Sequence, residues 1–147
     1  MDKNTECQPY LANLTKGPHM HSYQVTIHEA HLDTFGHVNN AKYLELYEQA
    51  RWDLITNNGY GLDEIKKLKI GPVVLEVNLN FKREITNREV ITIESTPKQL
   101  DHPLIMEINQ RMLKSDGQVA SVNNKSLIDF INFIYDNFLK SEILNSA

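Results

Sequence analysis

Cysteine occurs once, as Cys7, so neither a disulfide within the chain nor a cysteine zinc cluster can form, and a reducing compartment, the cytoplasm, fits best. Long apolar runs are also missing. Nothing approaches the roughly 20 consecutive apolar residues of a membrane-crossing helix, so no membrane insertion is expected. A basic surplus is lacking too. The formal charge is -4 with Lys and Arg scattered, and neutralising phosphates takes a basic face, so no nucleic-acid partner is expected. Met1 to Gly17 has neither the basic start nor the apolar centre of a secretory signal and reads as a loosely ordered tail. No Gly-rich phosphate loop, Gly-x-Ser-x-Gly elbow or internal repeat interrupts the chain.

What remains is a chain of 147 residues, enough for one domain with an ordinary core. Tyr23, Val25 and Ile27 alternate with Gln24, Thr26 and His28, the period of a half-buried strand. Tyr43, Tyr47, Ala50 and Leu54 then recur at spacings of four, three and four, which makes an amphipathic helix of about four to five turns. Asn39 or Asn40 can cap its start, and Asn57-Asn58-Gly59 should end it. Leu62 to Lys69 adds a short helical turn. Val73, Leu75, Val77, Leu79 and Phe81 face one way in the clearest strand, with Glu76, Asn78, Asn80 and Lys82 facing the other. Further strands are expected over Val90 to Thr96, over Leu104 to Met112 and from about Gln118 to Phe130, with Asn132 to Leu144 continuing as strand or helix. This is an α+β plan, in which a long helix must bury its apolar stripe on a curved antiparallel sheet.

The densest polar constellation is His28, His31, Asp33, His37, Asn39 and Asn40, at the junction between the first strand and the long helix. A helix start offers unpaired N–H groups and the positive end of the macrodipole, which stabilise a developing oxyanion. A carboxylate just upstream adds a base or nucleophile. Position alone favours Asp33 as a turn carboxylate, His37 as a solvent-facing turn histidine, and the Asn pair as simple caps. A metal site is not expected, because His28-Glu-Ala-His31 is not the His-Glu-x-x-His pattern and strand alternation would send the two rings to opposite faces. Glu48 and Arg51 read either as an i, i+3 ion pair or as a carboxylate pointing toward the Asp33 junction.

The stretch Asp33-Thr-Phe-Gly36-His37-Val38-Asn39-Asn40-Ala-Lys-Tyr43-Leu-Glu-Leu-Tyr-Glu48-Gln-Ala50-Arg51 resembles the signature of the 4-hydroxybenzoyl-CoA thioesterase-like hotdog family. The resemblance spans about Ser22 to Phe130. It implies a hotdog fold, a long central helix wrapped by a curved antiparallel sheet, with a flexible tail over 1–21 and one thioesterase domain over 22–147. It also implies an acyl-CoA thioesterase working as a homodimer or homotetramer, with no cofactor beyond the CoA of its substrate. Asp33, Asn40 and His37 would be the catalytic residues, with Asp33 as the carboxylate and Asn40 polarising the thioester carbonyl through its N–H. Asn39, Tyr43, Glu48, Lys82 and Arg83 would shape the substrate site. The alternative is a non-catalytic hotdog module that binds acyl-CoA or acyl-carrier protein. After the clearest strand the family pattern Tyr-x-Arg-Pro and then Gly-Asp is replaced here by Phe81-Lys82-Arg83-Glu84 and then Arg88-Glu89.

Overall fold

The computed structural model describes residues 8–15, 20–102 and 104–132. Its elements are helix α1 (Gln8–Thr15), strand β1 (His21–Thr26), a 3-10 turn (Glu29–His31), helices α2 (Asn40–Asn57) and α3 (Leu62–Leu68), and strands β2 (Ile70–Phe81), β3 (Val90–Gln99), β4 (Ile105–Leu113) and β5 (Val119–Asn132). The strands form one antiparallel sheet in the order β1-β3-β4-β5-β2. This is the hotdog arrangement, with α2 as the long helix against the sheet.

Helix α2 starts where Asn39 accepts the Ala41 N–H on its side chain at 2.9 Å, and it ends at Asn57 ahead of Gly59, whose φ is 89°. Its buried face is Tyr43, Leu46, Tyr47, Ala50, Arg51, Leu54 and Ile55, the stripe that the spacing called for with three additions. Below it the core divides in two. One apolar cluster gathers Tyr43, Leu46, Tyr47 and Ala50 with Ile91, Ile93, Met112 and Ala120, and the other gathers Leu54 and Ile55 with Ile70, Met106, Ile108 and Ile128. Between them runs a polar seam. Arg51, Ser95, Gln110, Ser121, Asn123 and Ser126 are all buried, and β4 and β5 pass from one cluster through the seam to the other, β4 from Ile108 through Gln110 to Met112 and β5 from Ala120 through Ser121, Asn123 and Ser126 to Ile128.

Three expectations are corrected. The tail over 1–21 is not loose throughout, because α1 lays Leu11 and Leu14, three residues apart, into the second cluster, and β1 already begins at His21. His28 and His31 do not diverge but stack with ring centroids 4.2 Å apart. The strand ends at Thr26, and in the 3-10 turn that follows, side chains three apart eclipse. Simple alternation along β2 also fails, since its register against β5 shifts between Val74 and Glu76 and again between Asn78 and Leu79. Leu75 and Phe81 are therefore half exposed on this edge strand. The reading of Asn132 to Leu144 lies, beyond Asn132 itself, outside the described residues.

The segment after β2 turns without the family's Pro and Gly. Lys82 and Arg83 both donate their backbone N–H to Ala120 O, at 2.8 and 2.9 Å, which bends the chain sharply. Arg88 takes a left-handed conformation at φ 66°, which in a non-glycine residue costs about 1–2 kcal/mol. Its Nη2 donates to both carboxylate oxygens of Glu29, at 2.8 and 3.0 Å. Asn87 also donates to Glu29, and that bond first, then the carboxyl's own backbone N–H and the Arg88 charge, hold its pKa down to about 2.

Candidate active site

The junction ahead of α2 is a tight loop built on one side chain. Asp33 Oδ1 accepts the backbone N–H of Phe35 at 2.8 Å and of His37 at 3.2 Å, while its own N–H donates to His37 O at 2.7 Å. Gly36, at φ 81°, supplies the reversal that a side chain would strain. Flanking bonds pin this loop in place. Val38 N–H donates to Ile85 O at 2.9 Å, Asn39 N–H donates to His31 O at 2.9 Å, and His37 pairs with Thr86 as a β-bridge. The carboxylate is thus fixed through one oxygen. Among the described residues no donor reaches Oδ2, and nothing accepts the Asn40 N–H at the first turn of α2.

A cleft of about 300 Å³ opens here, and it brings together Asp33, His37, Asn40, Tyr43, Lys82 and Arg83 from the sequence reading. Val38, Phe81 and Glu84 complete the wall. Phe81 sets its ring edge-on against buried Tyr43, centroids 5.0 Å apart. Burial, and after it the Glu84, Glu89 and Asp33 carboxylates, push the Tyr43 hydroxyl above its usual range, so it stays a neutral donor. Glu84 Oε2 lies 3.2 Å from His37 Nε2. No sequence signal marks Glu84, because only the long-range pairing of His37 with Thr86 carries it to the loop.

Two expected site residues stand elsewhere. Asn39 turns its side chain to the cap rather than to the cleft wall. Glu48 is exposed, accepts the Trp52 indole N–H at 3.4 Å, and does not line the cleft. It follows Tyr43 by five residues, which at about 100° each puts it roughly 140° round the helix. Its charge acts instead on buried Arg51, opposing the desolvation that lowers the guanidinium pKa.

An unpaired carboxylate oxygen, a free N–H at a helix start and flanking cations are the parts of a site that attacks a carbonyl and stabilises its oxyanion. The comparisons with known proteins agree with that class. The profile of the thioesterase-like superfamily matches residues 25–131. The long-chain acyl-CoA thioesterase FadM of Escherichia coli strain K12 is 33% identical over 108 residues, covering 74% of this chain and 79% of its own. The crystal structure of the YbaW probable thioesterase from Escherichia coli is 30% identical, covers 80% of this chain and 86% of that one, and superposes with a TM-score of 0.65. A Staphylococcus aureus protein solved in complex with CoA shares the fold at 20% identity, with a TM-score of 0.73 over 78% of this chain and 72% of that one. The protein belongs to the thioesterase-like superfamily.

Proposed function

We propose that this protein hydrolyses an acyl-CoA thioester to the free acid and CoA. The observation that carries this reading is that Asp33 and Asn40 line one cleft, the first with its Oδ2 and the second with its N–H without a partner among the described residues. Asp33 acts as base toward water or as nucleophile, while the Asn40 N–H and the positive end of α2 grip the carbonyl oxygen. Tyr43 supplies a neutral hydroxyl beside them. CoA enters only as part of the substrate. Free-thiol release from a panel of acyl-CoAs, acetyl to palmitoyl and aromatic, tests the activity. Binding of every member with turnover of none would make the protein a non-catalytic acyl-CoA module instead.

Lys82 and Arg83 stand exposed on the cleft wall, where they can meet the coenzyme's phosphates. Replacing either with Ala is expected to raise KM about threefold to fivefold at low salt, the worth of an exposed charge contact, with kcat little changed. A KM that ignores both substitutions and salt would remove them from the binding site.

The working unit is a homodimer or homotetramer. Strand β2 ends the sheet for twelve residues with Val74, Leu75 and Phe81 exposed, and a long apolar edge recruits another strand. Sedimentation as a monomer at micromolar concentration would contradict this. No described helix is long and apolar enough to cross a membrane. The lone Cys7 supports a cytoplasmic location.

A further inference from the structure

The cleft holds a histidine–carboxylate pair that the reaction set out above leaves idle. His37 directs Nε2 at the Glu84 carboxylate, 3.2 Å away, and its Nδ1 has no partner among the described residues. Both halves of the pair are anchored through the main chain. The His37 N–H is held by Asp33 Oδ1 at 3.2 Å, and its carbonyl takes the Asp33 N–H at 2.7 Å. On the facing segment, Glu84 O accepts from Lys114 Nζ at 2.7 Å, and the next residue's carbonyl accepts the Val38 N–H at 2.9 Å. Stability does not explain the pair, because the Glu84 side chain is 73% exposed and such ion pairs contribute little. An imidazole fixed in angle by a carboxylate, with its second nitrogen free at a carbonyl-attacking site, is the arrangement of a proton carrier.

Resting on the thioesterase reading, we propose that His37 is the general acid that protonates the departing sulfur through Nδ1, and that Glu84 is the positioning residue that holds the Nε2 proton and the ring angle. Water gives its oxygen to the acyl carbon and one proton to Asp33. The C–S bond breaks with its electron pair on sulfur, and the Nδ1 proton of the imidazolium completes the thiol. Neutral His37 then recovers the proton held by Asp33 through water, and the carboxylic acid product ionises to solvent. If Asp33 attacks directly instead, the sulfur departs in the same way, and water then cleaves the acyl–Asp33 anhydride, giving its oxygen to the acyl carbon and its proton to neutral His37. The groups facing the ring are the Asp33 and Glu84 carboxylates, the Tyr43 hydroxyl from α2 and the Lys82 and Arg83 cations.

The test compares two thioesters of one acid, the best-cleaved acid of the acyl panel. One is the CoA ester, and the other is the S-(4-nitrophenyl) ester, whose thiolate departs without a proton. His37→Gln is expected to raise the ratio of kcat on the aryl ester to kcat on the CoA ester about 30-fold, within the range of general acid catalysis. Glu84→Gln should raise it about fivefold to tenfold with an unchanged thermal midpoint. A ratio unmoved in both variants overturns the proposal, whatever their absolute rates, because a merely structural defect slows both esters alike. A wild-type protein that cleaves neither ester overturns the thioesterase reading beneath it.

Discussion

Asp33→Asn should lower kcat on the preferred acyl-CoA about a thousandfold while the thermal midpoint stays within a few degrees of wild type. The separation of the two effects follows from how the carboxylate is held. Oδ1 does the structural work, accepting the Phe35 and His37 N–H groups, and an asparagine oxygen in the same place accepts both. Oδ2, which no donor reaches among the described residues, becomes an amide nitrogen that can neither take a proton nor attack an acyl carbon. The loop, the Asn39 cap and the Asn40 N–H are left as they were. Thiol-release kinetics set beside a thermal melt check the pair of outcomes, and a variant retaining a tenth of wild-type turnover would discard Asp33 as base or nucleophile.

The sequence exposed the parts of this molecule that local chemistry governs. Tyr43, Tyr47, Ala50 and Leu54 repeat at helical spacing because they face one sheet, and Asn39 caps because an N–H two residues on needs an acceptor. The Asp33 to Asn40 junction was likewise visible as a cluster, although its spacing alone favoured turn residues, and only the family resemblance raised Asp33 to a catalytic candidate. Features set by distant partners were not legible. Glu84 reaches His37 only because the strands bring residues 37 and 86 together, and the bulges of β2 exist only in its pairing with β5. Helix α1 is short and set among polar neighbours, so Leu11 and Leu14 carry no period until the core receives them. Arg51 misled in the opposite sense. A charged residue beside Glu48 reads as a surface pair, yet it is 7% exposed and its partner is 59 positions away.

That partner makes Gln110→Leu the second large effect, an expected loss of about 3–5 kcal/mol. Gln110 accepts from Arg51 Nη1 at 3.0 Å and donates through Nε2 to Ser95 Oγ at 2.9 Å and to Tyr47 O at 3.2 Å. Leucine fills a similar volume but leaves a guanidinium, still charged at neutral pH, buried without its acceptor. Adding Arg51→Met removes the stranded charge together with its lost partner, so the double variant should recover at least about 2 kcal/mol of what Gln110→Leu loses. Urea denaturation of the two single variants and the double variant measures the coupling, and strictly additive losses would mean that the two side chains do not stabilise each other. The seam they form lies where the two apolar clusters meet, and apolar packing alone tolerates small rotations of a helix that directed hydrogen bonds do not. Rotation of α2 about its axis would shift Asn40 within the cleft it shares with Asp33. The double variant should therefore recover much of its stability while its kcat stays several-fold below wild type, which places an important part of the seam's contribution in the aim of the helix rather than in the free energy of folding.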